Sequence, residues 1–269
     1  MSRTRVPLVA GNWKMNLNHL EAMYFIQQFT WLMRNAHYDY EHSAEIAICP
    51  PFTSIRSVQV LLQAEKAPIR IGAQNVSPIS GGAFTGDISA DMLKQLDCRY
   101  VIIGHSERRK YHPEDDANLI NKVRAVLVAG IQPILCVGES TAERSQGIEL
   151  EYAIDQVSKV TRDLSDEEVS QLIIAYEPLW AIGGNGSASP QIAQNAAAAI
   201  RQYLLSIYGN YVAQKVRILY GGSVNSANVV SLMQGPDVDG FLIGGASLKP
   251  DEFSKIARLV TIASTQRDE

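Results

Sequence analysis

The chain has 269 residues, 46% of them hydrophobic and 19% charged, enough apolar material for one large core, and no Pro/Ser-rich or low-complexity stretch divides it. Its 24 Lys+Arg against 28 Asp+Glu leave a formal net charge of −4, which excludes the basic surface of a nucleic-acid or membrane-surface binder and points to a small partner. Cys49, Cys98 and Cys136 are odd in number and form no CxxC pair, against both a disulfide framework and a sulfur-ligated zinc site. With no export-type leader and no apolar run near the roughly 18 residues of a membrane span, the expected location is a reducing cytoplasm.

Taken in chain order, short apolar and β-branched runs predict strands at 6–10, 45–49, 69–73, 100–103, 133–137, 172–176, 216–220 and 240–243. Helical patterns alternate with them at 19–34, 54–63, 90–96, 116–129, 149–161, 190–207, 227–233 and 251–261. Ser189 before Pro190 and Asp115-Asp116 mark helix starts, and Gly130 and Gly209 stand where helices should end. The continuous apolar runs suit parallel strands buried on both faces. Repeated β-α units mean a closed barrel or a long open sheet, and the barrel is favoured because polar and glycine residues cluster after nearly every strand, as at one shared mouth. The expectation is a single-domain α/β chain over 1–269, a (β/α)8 TIM barrel of eight parallel strands with outer helices and the site at the strands' C-terminal end.

Candidate chemistry sits at those strand ends. Glu177 follows the run 172–176 and precedes Pro178, and beyond it Ile182-Gly183-Gly184-Asn185-Gly186-Ser187-Ala188 reads as a lid, so a carboxylate base lies beside a closing segment. His105 follows Gly104 and opens the helical stretch 106–109, whose positive end should lower its pKa and leave a neutral imidazole to donate to a carbonyl; a plain structural hydrogen bond is the alternative. Lys14, in Asn12-Trp13-Lys14-Met15-Asn16, offers an ammonium for an anionic substrate, with a Schiff-base lysine as the rival reading, and Glu107 is expected to pair with Lys14 or an arginine. Gly221-Gly222-Ser223 and Gly244-Gly245-Ala246 follow consecutive late strands and suit a phosphate on backbone N–H groups. The five histidines form no metal-binding pattern and no dinucleotide fingerprint occurs, so neither metal nor cofactor is expected.

Eight segments carry a resemblance: 11–16, Gly72-Ala73-Gln74-Asn75, Gly82-Ala83-Phe84-Thr85-Gly86, Ile103-Gly104-His105-Ser106-Glu107-Arg108-Arg109, Cys136-Val137-Gly138-Glu139, 175–183, Tyr220-Gly221-Gly222-Ser223-Val224 and 240–248. In their order and spacing they resemble the triosephosphate isomerase family over almost the whole chain. The resemblance implies interconversion of dihydroxyacetone phosphate and D-glyceraldehyde 3-phosphate, in glycolysis and gluconeogenesis, without cofactor. It implies Glu177 as base, His105 as polarising acid, Lys14 and Asn12 on substrate, and Gly183, Ser223, Gly244 and Gly245 on phosphate, with Glu107 and Cys136 in support. It also implies a homodimer in which the loop 79–87 enters the partner beside Met15 and brings Thr85 toward the other site. An aldol lyase on the same barrel and a noncatalytic phosphate-binding barrel remain the alternatives.

Two departures from the family pattern stand out. Asp87 takes a position where Glu is common, and the lid tip Gly184-Asn185-Gly186 is richer in glycine, so ordering it on closure should cost several tenths of a kcal/mol more per glycine, on the order of the glycine penalty elsewhere.

Overall fold

A computed structural model describes residues 5–182 and 187–268. β1 (Leu8–Asn12), β2 (Glu45–Cys49), β3 (Arg70–Ala73), β4 (Cys98–Ile103), β5 (Gln132–Val137), β6 (Ile173–Tyr176), β7 (Arg217–Tyr220) and β8 (Gly240–Ile243) pair in chain order. Each pairing is parallel, and β1 bonds β8 through Ala10 opposite Leu242 as well as β2 through Ala10 opposite Ala47, so the sheet closes on itself. No helix among the described residues is long and apolar enough to cross a membrane.

Side-chain alternation along a strand sorts the apolar residues into two clusters. Leu8, Ala10, Cys49, Ile102, Cys136, Ala175 and Leu219 fill the barrel interior. Their outward neighbours, such as Val9, Ile48, Val101 and Ile174, pack with Phe25, Phe29, Val58 and Val157 of the surrounding helices. Burial on both faces is why the strands read as near-continuous apolar runs rather than as polar/apolar alternation.

The same period of two carries past the strand ends. Leu8 and Ala10 point inward, so Asn12 and Lys14 continue the inward series; Ile173 and Ala175 lead to Glu177, Leu219 to Gly221, and Leu242 to Gly244. His105 is out of phase with Tyr100 and Ile102, and Gly104 at φ 69° supplies the left-handed step that turns it into the mouth.

Predicted and observed elements differ at their ends. β1 starts two residues late, at Leu8, because Pro7 has no N–H for the ladder. The expected helix at 116–129 is divided into a short helix at Glu114–Ala117, which contains positions 115–116, and a helix at Leu119–Val128 whose N-cap position is Asn118; Gly130 does take positive φ (76°) just past its end. Ser189 caps the helical stretch Pro190–Lys215 by accepting from the Ile192 N–H, and Gly209 (φ 77°, ψ 175°) ends its first helix as expected, a second helix following directly across the kink. The helix expected at 227–233 begins at Val229, and the last one runs from Pro250 to Asp268.

Candidate active site

A cavity of about 300 Å³ opens at the C-terminal ends of the strands. It is lined by Asn12, Lys14, His105, Glu177, Ser223, Gly244 and Gly245, so residues far apart in sequence converge on one space. Gly183, and the lid tip Gly184-Asn185-Gly186 with it, lie outside the described residues.

Glu177 follows β6 directly and is almost fully buried, at 2% exposure. One carboxylate oxygen lies 3.1 Å from His105 Nε2, and the other accepts the Ser106 backbone N–H at 3.1 Å. Gly221 opposite leaves room for it, since a Cβ there would lie 2.8 Å from Glu177 Cγ. Burial, the largest single influence, pushes this carboxyl's pKa up; His105, the Ser106 N–H and Lys14 together outweigh it and hold the group below its ordinary value.

His105 is the N-cap of the short helix Ser106–Tyr111, and its Nδ1 accepts the Glu107 N–H at 3.2 Å. That bond needs the Nδ1 lone pair, which assigns the ring proton to Nε2, the nitrogen facing Glu177. The helix end does not dominate the titration, contrary to the sequence-based expectation of a lowered pKa. Burial pulls the imidazole down most strongly, but the Glu177 carboxylate against Nε2 overrides it and raises the pKa above its ordinary value.

Lys14 enters from the β1 side. Its Nζ lies 2.7 Å from Glu107, the carboxylate partner expected from sequence, and its stem crosses the mouth so that a Cβ on Gly244 would lie 3.5 Å from Lys14 Cε. Glu107 is half-exposed, so this pair orients more than it stabilises. The Lys14 backbone is left-handed (φ 52°), a conformation that costs an L-residue about 1–2 kcal/mol. Asn12, 5% exposed, accepts the Lys14 N–H on Oδ1 at 3.0 Å.

Ser223 donates its backbone N–H to the Ala181 carbonyl at 3.0 Å, joining the β7 loop to the segment after Glu177. Gly221-Gly222 lead into a loop rather than straight into a helix, whereas Gly244 and Gly245 open a 3-10 turn, Gly245–Leu248. Cys136 is fully buried inside the barrel, and burial followed by the nearby Glu177 charge raises its thiol pKa well above the ordinary value. Such a thiol is not a nucleophile at neutral pH.

Sequence reasoning had assigned no role to three residues that the fold brings to this site. Ser106 holds Glu177 through its backbone, Gln74 reaches the Lys14 carbonyl, and Glu139, buried beside the turn Leu179–Ala181, accepts from Tyr176 Oη at 2.9 Å and Trp180 Nε1 at 2.7 Å. A backbone donor leaves no trace in sequence, but the inward series through Gly72 and Gln74 was readable as a sign that Gln74 turns toward the axis.

Residues 79–87 project as an irregular exposed segment, and Met15 is 95% exposed. Asp87 accepts from Ser77 Oγ at 2.6 Å and so closes the base of that loop, which the shorter carboxylate reaches.

A family model described as Triosephosphate isomerase matches residues 7–260. A protein of Bifidobacterium longum (strain DJO10A) named "Triosephosphate isomerase" is 60% identical over 268 residues, covering 100% of both chains. One of the same name from Bifidobacterium adolescentis is 62% identical over 259 residues, 96% of this chain and 98% of its own, and one from Streptomyces coelicolor is 49% identical over 255 residues, 95% and 98%. With the model spanning nearly the whole barrel and full-length relatives at this identity, the chain belongs to the triosephosphate isomerase family.

Proposed function

We infer that this chain catalyses the interconversion of dihydroxyacetone phosphate and D-glyceraldehyde 3-phosphate. The observation that carries the chemical reading is the buried Glu177 carboxylate, 3.1 Å from His105 Nε2, in a cavity that also holds Lys14 and the late-strand glycines. Glu177 takes the proton from the carbon beside the substrate carbonyl and returns it to the neighbouring carbon. His105 donates from Nε2 to the oxygen on which charge develops, and the Lys14 ammonium stabilises both that enediolate and the phosphate dianion. Asn12 orients substrate, and Ser223, Gly244 and Gly245, with Gly183, hold the phosphate. No metal or organic cofactor enters this reaction.

The raised pKa of His105 comes from its contact with the Glu177 carboxylate, set against burial. A substrate oxygen that takes the place of Glu177 at Nε2 removes the main influence raising it, leaving burial, the largest influence, and Lys14 to lower it against the smaller raising effect of Glu107. The Glu107 N–H on Nδ1 leaves Nε2 as the nitrogen that carries the proton to be donated.

Lys14 as a Schiff-base nucleophile is disfavoured, because its Nζ is engaged by the Glu107 carboxylate at 2.7 Å rather than standing free toward a carbonyl carbon. Cellular placement in the cytoplasm fits three free, buried thiols. A homodimer fits the exposure of Met15 together with Phe84 and Ile79 of the projecting loop, apolar side chains that a partner would cover, with Thr85 carried toward the other site.

The test is conversion of glyceraldehyde 3-phosphate to dihydroxyacetone phosphate in an NADH-coupled assay, beside Glu177→Gln. Turnover that collapses in the variant supports the reading, and a folded wild-type protein without turnover overturns it. Analytical ultracentrifugation tests the dimer, which should dissociate in Thr85→Arg.

A further inference from the structure

The loop after β1 holds two non-glycine residues in the left-handed region, Lys14 at φ 52° and Leu17 at φ 64°. Such a backbone persists only where its surroundings over-determine it. On one side of Lys14 the restraint is local, its N–H bonding Asn12 Oδ1 at 3.0 Å. On the other it comes from across the barrel: Gln74 Nε2 donates to the Lys14 carbonyl at 2.8 Å and to the Cys49 carbonyl at 2.9 Å. The same Cys49 carbonyl receives the Trp13 N–H at 3.1 Å, so the loop and the end of β2 are tied at one point.

We propose that Gln74 is a positioning residue for the isomerase reaction, its carboxamide clamping Lys14 in the left-handed conformation that aims the ammonium into the substrate cavity. Gln74 is not among the residues lining that cavity, so it acts through Lys14 rather than on substrate. Both amide hydrogens are used, one on each carbonyl, and an apolar side chain at 74 supplies neither. Without the clamp the Lys14 peptide is free to relax toward the right-handed region, which swings the Cα–Cβ bond and carries Nζ away from its place between Glu107 and Gly244. The inference rests on the reading that Lys14 binds the triose phosphate.

The experiment compares wild type, Gln74→Met, Lys14→Met and the double variant, measuring turnover of glyceraldehyde 3-phosphate and, by calorimetry, the Kd of glycerol 3-phosphate as a non-reacting dianion. Gln74→Met is expected to raise KM and the probe Kd by about tenfold, equivalent to about 1.4 kcal/mol of binding, with kcat falling less. In the Lys14→Met background the same change should alter Kd by less than about twofold, because the contact it served is gone. KM and Kd near wild type in Gln74→Met, or a full and additive loss in the double variant, overturn the proposal. If Gln74→Met does not fold, Gln74→Asn, whose donors fall one methylene short, should weaken the probe in the same direction; wild-type affinity there overturns it equally. Wild-type protein without turnover would instead defeat the isomerase reading, and unchanged probe affinity in Lys14→Met the role of Lys14.

Discussion

The two ends of the barrel interior are built from the same inward-facing strand positions and put charge to opposite uses. At the floor, Glu45 accepts from Tyr100 Oη at 2.6 Å, from Arg217 at 2.8 Å and from Arg70 at 3.2 Å, while Arg217 also donates to Tyr100 and Gln132. Every charge there is closed by a partner. At the mouth, Glu177 and His105 are more deeply buried than Glu45 and Arg217 but partnered mainly with each other, and Lys14 sits on a left-handed backbone with its side chain 27% exposed. A closed network leaves no group free to exchange partners, whereas a base, an imidazole and an ammonium around an open cavity can each exchange a protein partner for a substrate oxygen. The closed floor and the open mouth are joined by the small inward layer of Ala10, Ala47, Cys49 and Ala175.

The sharpest break in this comparison is Glu177→Gln, which should lower kcat by about 10²–10⁴-fold, the usual worth of a positioned general base, without lowering the urea midpoint of unfolding. A variant that lost stability in proportion to activity would make the mouth a structural region like the floor. Arg217→Met should do the reverse: it leaves the part-buried Glu45 with only Tyr100 and the exposed Arg70 and costs about 2–3 kcal/mol in urea unfolding, with kcat/KM per folded molecule unchanged.

Acid and alkali separate the floor further. Burial pushes the Glu45 carboxyl up, but Arg217, Tyr100 and Arg70 outweigh it, so its folded pKa lies below the ordinary value. Its contribution to stability is therefore present above the unfolded-state pKa and lost as pH falls through the folded one, and Glu45→Gln should flatten the acid limb of a stability–pH curve. Tyr100 is pushed up to about 12, chiefly by burial, so stability should decline as pH rises from the ordinary tyrosine range toward that value, and Tyr100→Phe should lose part of that decline.

The smallest effect concerns the thiols. Burial pushes Cys49, Cys98 and Cys136 all upward, so native protein at pH 8 should resist iodoacetamide at all three while urea-unfolded protein is labelled at each, read by intact mass. Rapid labelling of Cys136 in the native state would show that the layer beneath Glu177 opens to solvent.

Much of the mouth was legible from the alternation of the strands. Asn12, Glu177, Gly221 and Gly244 continue inward series, and His105 follows a glycine able to turn it into the same space. Element interiors followed from hydrophobic pattern, and the helix at Glu149–Thr161 matches its expected limits. Ends were harder: Pro7 delays β1, and the helix expected at 116–129 begins only at Leu119, because a terminus is decided by a few hydrogen bonds that neighbouring segments can supply or withhold.

The sequence by itself determined the barrel, its single mouth, and which ionisable side chains reach it, since period-two burial and strand-end glycines are local properties of the chain. Only the tertiary structure decided how those groups are held. Glu177 bears on His105 and on a backbone N–H 71 residues away, which reverses the titration expected from the helix end alone, and Lys14 is kept left-handed by an amide 60 residues along. Hydrogen bonds between distant segments form at contacts of about 3 Å that local pattern does not encode, and at this mouth they set the direction of the charge and the aim of the ammonium.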